Sequence, residues 1–132
     1  MKPINTSGRR KTAIARCTIA EGSGNIAING IPLDNFSYSM YREKIREVLV
    51  LAGNFFSKAN IKVRVAGGGI NSQAEAVRIA IARGLVEFSK GQLEEVFKEY
   101  DRNFLVADIR VKEARKPNTH SKARAKRQKS YR

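Results

Sequence analysis

The chain has one cysteine, one histidine, three prolines and no tryptophan in 132 residues. A single Cys17 excludes an internal disulfide. Beside Thr18 and Ile19 it reads as a small core residue on a strand, and no His or Asp pattern marks it as an activated nucleophile. His120, with no carboxylate or thiol at ligand spacing, supports neither a metal site nor a general base. No apolar run approaches the ~20 residues that span a bilayer. Residues 1–10 lack the apolar stretch of a secretory signal. The expected setting is therefore reducing and intracellular, with no membrane role. The length fits one domain with one modest core. Acidic side chains are scarce as well, 12 Asp and Glu against 26 Lys and Arg, for a formal charge of +14. Such a surplus opposes compaction and points to a polyanionic partner.

The charge is unevenly placed. Residues 110–132 carry ten basic side chains and one acid, Glu113, a net +9. The preceding 109 residues carry 16 basic and 11 acidic side chains, a net +5. The division predicts a folded unit over 1–109 and a basic arm over 110–132. The arm has no Leu, Ile or Phe, so it cannot bury enough surface to offset the entropy of ordering it alone. Pro117-Asn118 near its start suggests an extended path. Arg110, Arg115, Lys116 and Lys122, followed by Arg124, Lys126, Arg127 and Lys129, alternate with small residues that let the backbone approach phosphates. Tyr131 adds a ring able to stack on a base or sugar. A solvated tail is the plain alternative, but the density of Arg and Lys favours nucleic-acid contact. A second cluster, Arg9, Arg10 and Lys11 with Arg16 following, opens the chain. Charge at a strand entrance is often only solvated, so the two clusters reinforce each other only if the fold places them on one face.

The body reads as a small α+β unit with helices laid on a sheet. Residues 12–21 predict a strand and Gly22-Ser23-Gly24 a tight turn. Residues 25–28 predict a second strand, paired with the first as a hairpin. Asn29-Gly30 marks another turn, and residues 32–36 a short helical turn. Met40, Ile45, Val48, Leu49 and Ala52 space an amphipathic helix over 38–51 that stops at Gly53. Ile61, Val63 and Val65 alternate with Lys62 and Arg64 as a half-buried strand. The clearest helix spans 70–88, with an apolar stripe through Ile70, Ala74, Val77, Ile81, Leu85 and Phe88. Ala76, Ala80 and Gly84 form a second, small-residue face suited to close packing on a sheet. Residues 93–100 predict a last short helix. Asp101 and Asp108 lie among many bases and read as charge partners.

Gly67-Gly68-Gly69 joins a strand to the long helix, where backbone N–H groups suit a phosphate. An enzyme reading has to begin there, and it lacks the specific marks. No Gly-Lys-Ser/Thr follows, and Ser72 stands where a dinucleotide fingerprint needs its third glycine. The simpler reading is a turn with unusual backbone angles. The residues suggest no catalytic group and no cofactor.

Three segments in order carry a resemblance that covers nearly the whole chain. Gly8-Arg9-Arg10-Lys11-Thr12-Ala13-Ile14-Ala15-Arg16 resembles the opening signature of the universal family of small-subunit ribosomal protein number nine. Gly67-Gly68-Gly69-Ile70-Asn71-Ser72-Gln73-Ala74 resembles its glycine loop and helix. Asp108-x-Arg110-x-x-Glu113, Arg115-Lys116 and the ending Gln128-Lys129-Ser130-Tyr131-Arg132 resemble its tail. The Lys-Ser-Tyr-Arg ending departs from the Ser-Lys-Arg of the bacterial form and resembles the archaeal and eukaryotic cytosolic branch, the short N-terminus leaning to an archaeal source. The resemblance implies a ribosomal α+β fold with a left-handed β-α-β crossover and no enzymatic activity. It implies a cytoplasmic, ribosome-bound protein in the small-subunit head, held by ribosomal RNA and neighbouring ribosomal proteins. It also implies a tail directed at the anticodon loop of the peptidyl-site transfer RNA, a role that falls on Lys129, Tyr131 and Arg132. Arg132 shares its residue with the terminal carboxylate and is expected to position rather than attract. The competing expectations are an RNA-binding protein acting off the ribosome and a glycine-loop nucleotide enzyme.

Overall fold

The alternation at Ile61, Val63 and Val65 belongs to the middle of the sheet. In the computed structural model, which describes residues 2–118 and 122–124, five strands lie in the order β1-β2-β5-β3-β4. These are β1 (Ile4–Arg10), β2 (Ala13–Glu21), β3 (Ile26–Ile28), β4 (Ile31–Pro32) and β5 (Ala59–Ala66). The pairs β1/β2, β2/β5 and β3/β4 are antiparallel, and β3/β5 is parallel. Helices α1 (Ser39–Ala52), α2 (Asn54–Ser57), α3 (Ile70–Phe88) and α4 (Glu94–Tyr100) complete the fold. The expected α+β class, its mixed sheet and its long helices are present.

One pairing differs from the sequence reading. The segment after Gly24 does not fold back on β2 as a hairpin, because β5 occupies that position. An eight-pair ladder from Ile14–Ala66 to Glu21–Ala59 outcompetes a strand of three residues. The chain instead arches over the start of β5, where Gly22 N–H donates to Lys58 O (2.9 Å) and Gly24 N–H to Ala59 O (3.1 Å). Asn60 Oδ1 accepts from Ser23 N–H and Asn25 N–H and pins the arch. Asn29 then extends the β3/β5 ladder, its amide accepting from Val65 N–H (2.9 Å) and donating to Val65 O (3.1 Å). The first strand was also not anticipated: its Thr, Ser and Gly hide the alternation that faces it onto α3.

A two-sided division follows from the strand period of two. Ala13, Ala15, Cys17 and Ile19 of β2 are buried, as are Ala59, Ile61, Val63 and Val65 of β5. This face receives α3, and α1 packs beside α3 through Ile45, Val48, Leu49 and Ala52. The small-residue face of α3 lies against β1 and β2 as its composition predicted. A Cβ placed on Gly8 would sit 2.3 Å from Ala76 O, and one on Gly84 would sit 2.6 Å from Ile19 Cδ1. Burial pushes the Cys17 thiol up to about 12, which suits a core residue and not a nucleophile. The opposite face of the sheet carries no helix among the described residues.

Candidate nucleic-acid interface

Strand alternation that sends Cys17 and Val63 inward sends their neighbours to the uncovered face. Arg9 of β1, Arg16 of β2, and Lys62 and Arg64 of β5 are all exposed there. The register sets Arg16 directly opposite Arg64, with Ser7 on its other side, and Thr18 directly opposite Lys62. None of these four cations forms an ion pair among the described residues. Arg9 Nε donates only to Lys11 O, at 3.1 Å. A shallow groove runs between them over Asn5, Ser7 and Thr18, and the Thr18 hydroxyl donates to Asn5 Oδ1 at 2.8 Å. Lys62 and Arg64 were read only as the polar half of a strand pattern. The alternation already placed them, but their company became visible only with the pairing of β2 and β5.

The opening cluster is split by the fold. Arg9 joins the uncovered face, and Lys11 is exposed in the two-residue turn between β1 and β2, with φ at +53°. Arg10 points the other way. Its Nε meets Glu75 Oε2 at 2.7 Å and its Nη1 meets Asp108 Oδ2 at 3.0 Å, leaving its side chain 17% exposed. Arg10 therefore ties β1 to α3 and to the root of the arm. It is spent inside the protein, a correction to its place in a surface cluster. Two further arginines are also internal struts. Arg83 donates to Ser7 O and Leu105 O. Arg78 bridges Glu47 and Asp101 and stacks 4.1 Å above the Phe104 ring. Asp101 and Asp108 are charge partners, as expected.

The last helical turn of the described body ends at Phe104, and residues 107–116 belong to no helix or strand. Arg110 pairs with Asp108, first through its side chain and then through its backbone N–H. Together with Arg10 it holds that carboxyl well below the usual range. Pro117 and Asn118 lie in a turn. Proline presets the first turn position, Asn118 takes φ +61°, and Lys116 N–H donates to Lys122 O at 3.0 Å. Arg124 then reaches back to Glu113. Arg115 and Lys122 are exposed and unpaired among the described residues. Lys126, Arg127, Lys129, Tyr131 and Arg132 lie outside the described residues, as does His120.

The glycine loop is a turn. Gly67 and Gly68 have φ of +78° and +65°, and a Cβ on Gly67 would meet Thr12 O at 2.6 Å. Gln73 Nε2 closes the turn by donating to Gly67 O. No helix of the described residues is long and apolar enough to cross a membrane.

Comparison with known proteins agrees with this architecture. A family model described as ribosomal protein S9/S16 matches residues 8–132. The chain is 48% identical over 133 residues to the small ribosomal subunit protein uS9 of Methanothrix thermoacetophila, covering all of both chains. It is 48% identical over 134 residues to the protein of that name from Methanococcus maripaludis, again covering all of both chains. It is 44% identical over 133 residues to the one from Thermoplasma volcanium, also at full coverage. With matches along its full length to archaeal relatives, the chain belongs to the ribosomal protein S9/S16 family.

Proposed function

We propose that the protein is a non-catalytic constituent of the small ribosomal subunit, bound to ribosomal RNA and packed among neighbouring ribosomal proteins in its cytoplasmic setting. Its arm carries the longest-range contact. The observation that carries the reading is the +9 arm of residues 110–132, set on a body with a complete core of its own. Family membership supplies the ribosome as context.

In this reading Arg9, Lys11 and Arg16 fix the body on ribosomal RNA. Arg110, Arg115, Lys116, Lys122 and Arg124 neutralise phosphates along the arm. Lys126, Arg127 and Lys129 continue that grip, while Lys129, Tyr131 and Arg132 touch the anticodon loop of the peptidyl-site transfer RNA. The guanidinium groups of Arg110 and Arg124 are exposed and can exchange their carboxylate partners for phosphates, because a phosphate offers the same guanidinium geometry as a carboxylate. Arg10 has a different part: it aims the arm and does not grip RNA.

Each cation that neutralises a phosphate releases a counterion, so affinity falls steeply with salt. Deleting residues 110–132 should flatten the salt dependence of binding to small-subunit ribosomal RNA, and an unchanged slope would remove the arm as the main contact. Deleting Arg132 alone should weaken peptidyl-site transfer-RNA placement while sparing subunit assembly; equal loss of both counts against the tail's role. Sedimentation with small subunits separates a ribosomal constituent from a protein acting off the ribosome.

A further inference from the structure

The helix-free face of the sheet has a charge pattern that folding does not account for. Arg16 and Arg64 stand directly opposite each other on β2 and β5. Side chains so placed have Cβ atoms about 5 Å apart, and like charges there destabilise a sheet. Arg9 lies diagonal to Arg16 on β1, and Lys62 lies two residues from Arg64 on the same strand, at about 7 Å. No acidic side chain on this face answers them, although the body has acids enough to pair Arg10, Lys44, Arg46, Arg78 and Lys98 elsewhere. A repulsive cluster of four cations, left without carboxylate partners on a body that pairs Arg10, Arg46 and Arg78 with carboxylates, is complementary to a polyanion.

The rest of the face narrows the choice. Asn5, Ser7, Ile14 and Thr18 lie between the cations, and the described residues place no aromatic ring on this face. A sheet that reads single-stranded bases does so by stacking them on aromatic side chains. This face offers instead hydroxyls and amides beside guanidinium groups, the partners of phosphates and ribose 2′-hydroxyls. We infer that Lys62 and Arg64, with Arg16 and Arg9, form a second RNA-binding surface that takes the sugar–phosphate backbone of double-stranded RNA. It is separate from the arm and rests on the reading of the protein as RNA-bound. Ion pairs through Arg10 hold the arm root against α3, on the opposite side of the sheet from this face. The two surfaces thus engage RNA from different sides, which fixes the body's orientation as well as its affinity.

The test uses the full chain, small-subunit ribosomal RNA transcribed in vitro, and a double variant Lys62→Gln/Arg64→Gln. Both residues are solvent-facing, and a thermal transition at or slightly above that of the wild type establishes that the variant is folded. In the log–log dependence of affinity on salt, the slope should become shallower by about 1.8, the loss of two phosphate contacts on a duplex. Arg115→Gln/Lys122→Gln should lower the slope by a similar amount. The quadruple variant should show the sum, because the surfaces are distinct. In hydroxyl-radical footprints the two double variants should lose protection at different duplex segments. A wild-type slope and footprint for Lys62→Gln/Arg64→Gln, with the wild-type protein bound normally, overturns the inference and leaves the face to an acidic protein. Failure of the wild-type protein to bind this RNA would instead overturn the ribosomal reading. Loss of single-stranded instead of duplex protection would refute the assignment of the backbone of paired RNA.

Discussion

At Gly8 the backbone of β1 lies tight against that of α3, and Gly8→Ala tests whether that approach organises the fold. The added Cβ would lie 2.3 Å from Ala76 O, 2.6 Å from Ala80 N and 3.1 Å from Ile79 Cβ. Two of the three obstacles are helix backbone, which cannot rotate away. An ordinary carbon–oxygen contact needs about 3.3 Å, so β1 must retreat by roughly 1 Å. Thr6 Oγ1 donates to Ala80 O at 2.8 Å and Arg83 Nη1 donates to Ser7 O at 2.9 Å, and both stretch past hydrogen-bonding range with that retreat. Overpacking costs about 1–3 kcal/mol, and each of the two weakened hydrogen bonds about 1 kcal/mol, for a total of about 3–5 kcal/mol. At about 2.1 cal/mol/K of unfolding entropy per residue, each kcal/mol moves Tm by about 3–4 °C in a chain of this length. Gly8→Ala should therefore lower Tm by about 11–18 °C in a calorimetric or circular-dichroism melt, with the urea midpoint falling in parallel. Gly69→Ser is the control: nothing lies within 4 Å of its Cβ, φ is −100°, and a serine there can cap α3. It should leave Tm unchanged or slightly raised. A Gly8→Ala melt within about 2 °C of wild type would refute the close-packing argument, since no side chain there can relieve the clash.

Replacing Arg64 by Thr should raise Tm by about 1–3 °C at low salt, because relieving a cross-strand like-charge pair is worth roughly 0.2–1 kcal/mol. The gain should vanish at high salt, and a lower Tm would show that the arginines are not in conflict. Arg10→Leu should speed amide exchange across residues 105–110 several-fold while leaving β2 and β5 protected; unchanged exchange would mean that Asp108 needs no tie to β1. Asp108 is depressed below its ordinary value, chiefly by the Arg110 side chain, so the ionised form is favoured in the fold. Its stabilisation is fully present above about pH 4, its ordinary value, and is lost as pH falls below that towards the depressed native value, and Asp108→Asn should remove that part of the acid dependence of Tm. Cys17, pushed up to about 12 by burial, should resist thiol reagents at pH 8 until the protein unfolds; rapid labelling of the native state would contradict its place in the core.

Much of this architecture was legible in residue order alone. Helix α3 spans the predicted limits because its apolar stripe and small-residue face coincide over 19 residues. Helix α1 stops where predicted because Gly53 takes φ +50°, as a residue without a Cβ does readily. A count of charges and the absence of large apolar residues carry the expectation of a separate arm. Local signals of this kind have a range of a few residues and survive without knowledge of neighbours.

Strand partnership is a different matter. Nothing local distinguishes residues 26–28 as a hairpin partner of β2 from a parallel partner of β5, since a strand of three carries too little pattern to choose. That choice was made by the longer β2/β5 ladder, which is a contest between segments some 45 positions apart. The same contest decided the fate of the charges. Composition determined that the chain would be a polycation with a coreless arm, and alternation determined that Arg16, Lys62 and Arg64 would point away from the core. Only the tertiary structure brought Arg16 and Arg64 face to face, and only it turned Arg10 inward to Glu75 and Asp108. The physical reason is that charge is a property of a residue, whereas pairing and burial are properties of a place, and long-range strand order assigns the places.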